Sequence, residues 1–585
     1  MRSALMRNAI ALCAASGLAV AVYIHQAPEA NACGCFAPPD PSVPIVQAGE
    51  RIAFSMKDGI VTSHIQVQYS GEAQEFGWLL PLPSLPTMEL GTDELFVQLI
   101  NQTQPKYRLN REYVGDCPFD PNRGGGFNGS PSSDSNEGGG QGPEDGSSPL
   151  VMQASVGPYD YAVLRADSKQ PMLDWLAENG FFVPAGTDSV VDPYIRTGAY
   201  FLALKLRKGN DVGDLQPVVV KYQSELPMIP IILTSVAADP NMGVLVWVLG
   251  KDRAIPRNYF HTLLNDAKVD WINFGANYVD VVTKAANEAE RGQTFVTEYA
   301  GTSSVMVDRL DPDWRFGDVV ELSKITDAQE YINYLNSYGF PVADPTGFSQ
   351  ATYSTPLLSL LQRELPVPAA LLADGVEPND YYINISYYLG WYREENPEKF
   401  TDLDLVFDPN QLTTDIKERI IEPTINAGAM FRQNQYLTRM FTTMSADEMT
   451  RDPVFSFNPD LPEVSNVHNA RLIYYCGVWG QHEVRELTPA RLITDTGWDL
   501  SFPGGTDNNP WTDDPEMPGS HKIQILREEG DAITVQDNTD EIERITNRGS
   551  GFGGCTVGAD SGNGLAGFAL LGLAVLLVVR RRRRE

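Results

Sequence analysis

The chain has 585 residues, 76 of them acidic and 44 basic, for a formal net charge of −32. That deficit of positive charge excludes nucleic acid as a natural partner and keeps the body off anionic membranes. The length is enough for two or three domains, so size sets no limit on a buried core.

The amino end has Arg2 and Arg7, an apolar run from Ala9 to Val22, and Ala30-Asn31-Ala32 before Cys33. This reads as a signal peptide over residues 1–32, cut after Ala32. A lipoprotein signal is the rival, and it lacks the large aliphatic residue three places before the cysteine. Arg51 to Ser55 and Ile60 to Tyr69 form a predicted hairpin around Lys57-Asp58-Gly59. Phe76 to Leu82 is a buried strand closed by prolines, and Thr92 caps a helix through Ile100, with Asp93 and Glu94 in its first turn. Residues 118–149 are rich in Gly, Ser, Asn, Asp and Pro and form a disordered loop inside one domain. Strands follow at Tyr159 to Arg165, Tyr200 to Leu206, Gln216 to Tyr222, Ile229 to Ala237 and Gly243 to Leu249, with helices at Met172 to Asn179 and Tyr278 to Glu290.

From about residue 328 the balance turns helical, with helices at Thr326 to Asn336, Leu357 to Leu365, Thr413 to Ile421 and Gln435 to Met444, and a strand at Leu472 to Cys476. Beyond Phe502 the composition is again Gly, Pro, Asp and Asn rich, relieved by a ribbon at Lys522 to Leu526 and Ala532 to Gln536. The expected class is α+β: a strand-rich N-terminal domain over residues 33–340 with an antiparallel or mixed sheet, a more helical region over 341–502, an acidic stalk over 503–554, and a tail over 555–585.

Several motifs of the first region together resemble the secreted bacterial family of domain of unknown function 2330. They are Cys33-Gly34, Glu75 to Pro83 (EFGWLLPLP), Gly213 to Pro217 (GDLQP), Pro227 to Pro230 leading into Met242 to Gly250 (MGVLVWVLG), and Gln293 to Gly301 (QTFVTEYAG). The resemblance covers roughly residues 33 to 340. It implies no activity, fold or catalytic residue.

The tail is an address. Leu565 to Val579 carries no charge, and its helix of about 22 Å falls short of a ~30 Å hydrocarbon core unless its flanks are used. Arg580, Arg581, Arg582, Arg583 and Arg584 form a stop-transfer cluster on the cytoplasmic side. The order Gly553-Gly554-Cys555, small-residue spacer, apolar run and arginine cluster resembles the C-terminal sorting signal of myxobacterial surface proteins. That resemblance implies cleavage by a membrane-embedded sorting protease, lipid attachment at Cys555, and display at the cell surface. A plain C-terminal membrane anchor is the alternative.

Cys13 leaves with the leader and Cys555 belongs to the tail, so the body keeps Cys33, Cys35, Cys117 and Cys476. On an exported body these suggest two disulfides. Cys33 and Cys35 are poorly placed to bridge each other, so one is expected to take Cys117 and the other Cys476. A metal site built from Cys33 and Cys35 with His468 or His482 is the alternative, although the zinc spacings are absent.

Catalytic signatures are missing: there is no Gly-x-Ser-x-Gly, no His-Glu-x-x-His and no phosphate loop. Gly549 to Gly554 fits a dinucleotide pattern in letters alone, since it follows no strand and opens no helix. His482-Glu483 near His468 and Cys476 is the best place for an acid/base or metal site, and an exposed pair beside a disulfide is the plainer reading. Tyr381, Tyr382, Tyr387, Tyr388, Trp391 and Tyr392 form the densest aromatic cluster. They suit a buried amphipathic segment or a stacking surface. No cofactor is implied, and the leading function is a non-enzymatic envelope binding or structural protein with an unidentified extracellular ligand. The alternative is a surface hydrolase around His468, His482 and Glu483.

Overall fold

The computed structural model describes residues 49–66, 77–115, 149–179, 187–207, 215–236, 238–310, 319–337, 355–476, 488–506 and 510–548. Its centre is a ten-stranded mixed sheet made of β1 (Glu50–Lys57), β2 (Ile60–Gln66), β3 (Thr87–Leu90), β4 (Val218–Gln223), β5 (Met242–Gly250), β6 (Phe260–Leu264), β7 (Thr294–Thr302), β8 (Tyr436–Met444), β9 (Ser520–Ile525) and β10 (Ile533–Asp537). The strand order is β10-β9-β6-β7-β8-β5-β1-β2-β4-β3. β1 and β2 meet at the expected turn, where Asp58 (φ 52) and Gly59 (φ 76) both take the left-handed conformation that suits a two-residue hairpin. β1 pairs parallel with β5, which requires a long connection between them.

Both faces of this sheet are covered, which is why β5 in its middle reads as an unbroken apolar run. On β5, Leu245, Trp247 and Leu249 point into one core and Val244, Val246 and Val248 into the other. The first core packs α1 (Asp93–Thr103), α2 (Tyr278–Glu288), α3 (Glu422–Gln433) and α4 (Thr539–Arg548) against the sheet. It is completed by a four-stranded sheet of Lys106–Val114, Val467–Tyr475, Ala490–Thr494 and Asp499–Phe502. The second core lies beneath another four-stranded sheet, Gly77–Leu82, Leu150–Val156, Tyr159–Arg165 and Tyr200–Leu206, whose far face carries the helix Lys169–Glu178. α1 starts as expected, the Thr92 hydroxyl accepting the Glu94 N–H at 3.3 Å.

The α+β class, with a strand-rich first part and more helix after it, is what the chain adopts. Three expectations are corrected. Gln435 to Met444 is a strand: β8 lies between β7 and β5 near the middle of the sheet, where the β-branched Thr438, Thr442 and Thr443 suit a ladder better than a helix. Ile229 to Ala237 is, over the described residues 229–236, no strand. Pro230 interrupts pairing, and only a short helix, Ile231–Thr234, forms. The stalk expected over 503–554 is, through Arg548, part of the body: Trp511, Met517, Ile542 and Ile545 are buried in the first core.

β7 and β8 are antiparallel neighbours, yet residues 303–435 run between them. Most of that excursion folds as helices around its own core of Leu322, Tyr331, Ile332, Leu360, Leu361, Tyr381 and neighbouring side chains. The helical region is therefore inserted into the sheet's connectivity, and the chain returns to complete the sheet.

Candidate functional site

Among the described residues a cluster of chemically capable side chains lies in the first core, between the central sheet and the four-stranded sheet above it. It begins with a bulge. β7 pairs Thr297 with Met440 and Tyr299 with Arg439, so Glu298 is the extra residue. By alternation from Val296, which faces the first core, Glu298 points into the same core, and the bulge turns Tyr299 to that side as well. Glu298 meets Arg439 there, accepting the Arg439 Nε–H, with neither side chain exposed.

Two of the remaining atoms of this pair have partners from other elements, while Arg439 Nη2 is buried without a hydrogen bond. Tyr278, at the start of α2, donates its hydroxyl to Glu298 Oε1 at 2.5 Å. Burial, then the Glu298 charge, push the Tyr278 phenol well above its ordinary range, so it stays a donor. Arg439 lies directly across from Trp247 in the β5–β8 ladder, its guanidinium 5.4 Å from the ring centre. Trp247 Nε1 donates to Thr103 Oγ1 at 3.0 Å, and Arg439 Nη1 reaches the same oxygen at 3.5 Å. Thr103 passes its own proton to the Leu99 carbonyl at the end of α1.

From Tyr278 the seam continues outward through rings. Tyr107 is 6.0 Å from Tyr278, edge-on to Trp271 at 4.9 Å, and stacked on His468 at 4.9 Å with 14° between planes. The stack follows from the strand register, because Tyr107 and His468 are direct partners in a parallel pair. Gly275 holds a positive φ of 78° beside it, and a Cβ there would come within 2.5 Å of the Tyr107 ring. His468 is half-buried beside Asp266, whose carboxyl is raised above the usual range by burial, against the lowering effect of His468 and of the Thr496 hydroxyl bonded at 2.8 Å. Asp495, exposed, closes this end.

Of the trio proposed from sequence, His468 is in this seam, while His482 and Glu483 lie outside the described residues. Cys33, Cys35, Cys117, Cys555 and Arg580 to Arg584 also lie outside them. Cys476, which follows the strand Val467–Tyr475, donates its N–H to the Val114 carbonyl at 2.9 Å and carries a disulfide. Among the described residues no group of three or more His, Cys, Asp or Glu is placed to hold a metal ion, and no helix is long and apolar enough to cross a membrane. The run 565–579 is not among them. Arg439, Glu298, Tyr278 and Asp266 were not singled out from sequence. The available signal was a lone charge within each of two apolar, threonine-rich strands.

A mixed ten-stranded sheet covered on both faces, with a buried Arg–Glu–Tyr seam and a helical excursion, defines the architecture. The chain belongs to a family of uncharacterized proteins conserved in bacteria, DUF2330, whose profile matches residues 27–350. The match ends inside the excursion, before β8. No curated protein and no solved structure matches the chain.

Proposed function

We propose that this is an exported protein held at the cell surface by its C-terminal tail, with a binding or structural role in the envelope rather than an enzymatic one. One observation supports the non-enzymatic part: among the described residues the buried constellation of catalytic-type side chains, Arg439, Glu298 and Tyr278, is closed from solvent and directs its bonds inward to β7, β8 and α2. Reacting groups have to come within hydrogen-bond reach of a substrate. The acidity of the body supports attachment through the tail, since such a surface is repelled by anionic lipid. In this reading a membrane sorting protease acts near Cys555, and Cys33, Cys35, Cys117 and Cys476 form two disulfides, Cys476 pairing with Cys33 or Cys35.

The test is cell fractionation followed by intact mass and an unreduced peptide map of the envelope-bound protein. The expected chain starts at Cys33, ends near a lipid-bearing Cys555, and yields a cross-linked peptide containing Cys476. A cytosolic chain that keeps residues 1–32 overturns the reading. A chain that keeps Arg580 to Arg584 replaces sorting with a plain anchor.

The second reading, a surface hydrolase around His468, His482 and Glu483, is favoured by the position of His468 beside the raised Asp266 carboxyl. A hydrolase screen in which His468→Ala and His482→Ala both match the parent removes it.

A further inference from the structure

The helical excursion displays a feature that the seam does not use. Pro378–Ile383, Ile385–Tyr387, a π turn over Tyr388–Tyr392 and Arg393–Glu395 follow one another as short helical stretches, with Gly390 (φ −93, ψ −110) leaving the helical conformation inside the π turn. The aromatic cluster divides on it. Tyr381 and Tyr382 are buried in the excursion's core, whereas Tyr387 is 47% and Trp391 60% exposed. The two exposed rings are stacked, their centres 5.8 Å apart and their planes 29° apart. That spacing is on the scale of one sugar ring.

Buried and half-buried rings brace Tyr387, against which Trp391 packs. Tyr388 touches Tyr387 at 5.2 Å, Tyr381 at 5.4 Å and Tyr392 at 5.5 Å, and Tyr392 in turn packs on the buried Phe400 at 6.3 Å. Lys399 donates to the Tyr392 hydroxyl at 3.1 Å while paired with Asp374 at 2.7 Å, which fixes that ring from the far side. Rings braced in this way lose little freedom on binding. A π turn within an α-helical run is itself uncommon and concentrates at functional positions.

The polar groups around the rings choose the ligand. Positions three and four apart share a face within each helical stretch, so Asn384, whose amide also donates to the Asp380 carbonyl at 3.0 Å, lies beside Tyr387, and Glu394 and Glu395 lie beside Trp391 beyond the kink at Gly390; all are exposed. Amide and carboxylate groups at both ends of a flat aromatic pair suit hydroxyls around an apolar C–H face. The same carboxylates repel an anionic lipid or an acidic partner, and a dry protein interface is depleted of charge at its centre.

The geometry points to Tyr387 and Trp391 as a stacking platform for a neutral polysaccharide, with Asn384, Glu394 and Glu395 bonding its hydroxyls. The idea gives a ligand class to the binding role proposed above and rests on that role, but not on the tail. The full chain is run in native gels containing dextran, a soluble β-1,4-glucan or a soluble β-1,3-glucan. Retardation in at least one of them is expected, reduced at least fivefold in apparent affinity by Trp391→Ala and by Tyr387→Ala, and largely kept by Trp391→Phe. Tyr113→Ala, at the separate exposed stack of Tyr113 on Tyr474 (5.5 Å), should bind as the parent does. Both platform residues are exposed, and an unchanged melting temperature confirms that their variants fold. No retardation of the parent in any gel, or equal retardation of the Tyr387→Ala/Trp391→Ala double variant, overturns the proposal. So does a platform-dependent self-association in sedimentation without glycan binding. An envelope-bound, tail-processed chain that is not retarded would leave the surface reading standing and this one refuted.

Discussion

Glu298 bonds Arg439 across β7 and β8 at the point where β7 carries one residue more, and the pair is sealed with no exposure on either side chain. Two charges taken out of water lose several kcal/mol of solvation each, which the pair recovers through mutual attraction and the Tyr278 bond. Such a pair is fragile in one direction. Removing one member strands the other, so Glu298→Gln and Arg439→Met are each expected to cost about 3–5 kcal/mol. Tyr278→Phe removes a single bond to a charged acceptor and should cost about 1.5–3 kcal/mol. Urea melts of the singles and of the Glu298→Gln/Arg439→Met double give the coupling. A double variant whose loss equals the sum of the singles would show that the two side chains do not act as a pair.

Several buried ionisable groups make stability depend on pH, in opposite senses. Burial pushes the Asp93 carboxyl up to about 6, against the lowering effects of the Gln66 bond and of Arg51. The folded state then binds a proton that the unfolded chain has already lost, so Asp93 favours folding at low pH and its contribution fades as pH rises through about 6. Asp93→Asn should therefore gain on the parent by about 1–3 kcal/mol between pH 4 and pH 7. Glu50 and Asp452, also raised by burial, act in the same direction. A constant difference between parent and Asp93→Asn across that range would count against a buried, raised Asp93.

The histidines act the other way. Burial lowers His261 to about 3, its ring nitrogens facing Thr297 Oγ1 at 3.0 Å and Gln524 Oε1 at 3.3 Å. Its neutral form is held in the fold, so the contribution is whole above about 6.5 and is lost as pH falls toward the folded value. His64, lowered to about 4, behaves alike. His261→Gln should close the gap on the parent by about 1.4 kcal/mol for each pH unit below 6.5. Chemical melts at pH 7, 6, 5 and 4 read this directly.

The elements legible in the sequence were those with a local cause. The β1–β2 turn was set by Asp58-Gly59, α1 by Thr92, and β5 by an apolar run too long to be solvent-facing. β8 was misread because YLTRMFTTM has no turn signal at its start, and what makes it a strand is its place between β7 and β5, contacts far away in sequence. The Glu298–Arg439 pair is hidden for a similar reason: which residues meet across a ladder is a property of the pair of strands, not of either alone. The C-terminal segment looked like a stalk because its polar loops outnumber its anchors. Four well-spaced apolar side chains, Trp511, Met517, Ile542 and Ile545, are enough to dock it.

That docking has a direct consequence for truncation. Trp511 packs edge-on to Phe502 at 4.9 Å, Lys268 donates to the Thr512 carbonyl at 2.9 Å, and Glu288 accepts the N–H groups of Gly519 and Ser520 at 2.8 and 2.9 Å. Burying a large apolar side chain stabilises by about 1.5–3 kcal/mol, against a total of about 5–15 kcal/mol for a typical domain. A chain ending at Gly505 should fail to fold or aggregate, whereas one ending at Arg548 should melt as the full body does. Equal melting temperatures for the two would restore the stalk.

Gln216 decides whether the helical excursion unfolds with the sheet. It stands just before β4, with Tyr159 clasping its backbone at 2.7 and 2.5 Å. Its side-chain amide donates to the Gly91 carbonyl at 2.9 Å and to the carbonyl of Arg419, and its oxygen accepts Arg419 Nε at 3.4 Å. Arg419 lies in the π turn Lys417–Ile421, where the excursion's last helices run into α3. One amide therefore ties the β3–α1 corner to the returning excursion, and nearby Thr424 Oγ1 contacts Thr92 Oγ1 at 3.3 Å. Removing it leaves buried carbonyls unpaired at about 1–3 kcal/mol each. The loss falls on the joint, since the excursion's own core of Tyr331, Leu360 and Tyr381 is untouched. Gln216→Ala should split a single thermal transition into two, with the excursion's amides exchanging faster than those of β5 and β8. A variant that melts in one shifted step, with exchange raised equally in both, would mean that sheet and excursion are joined elsewhere.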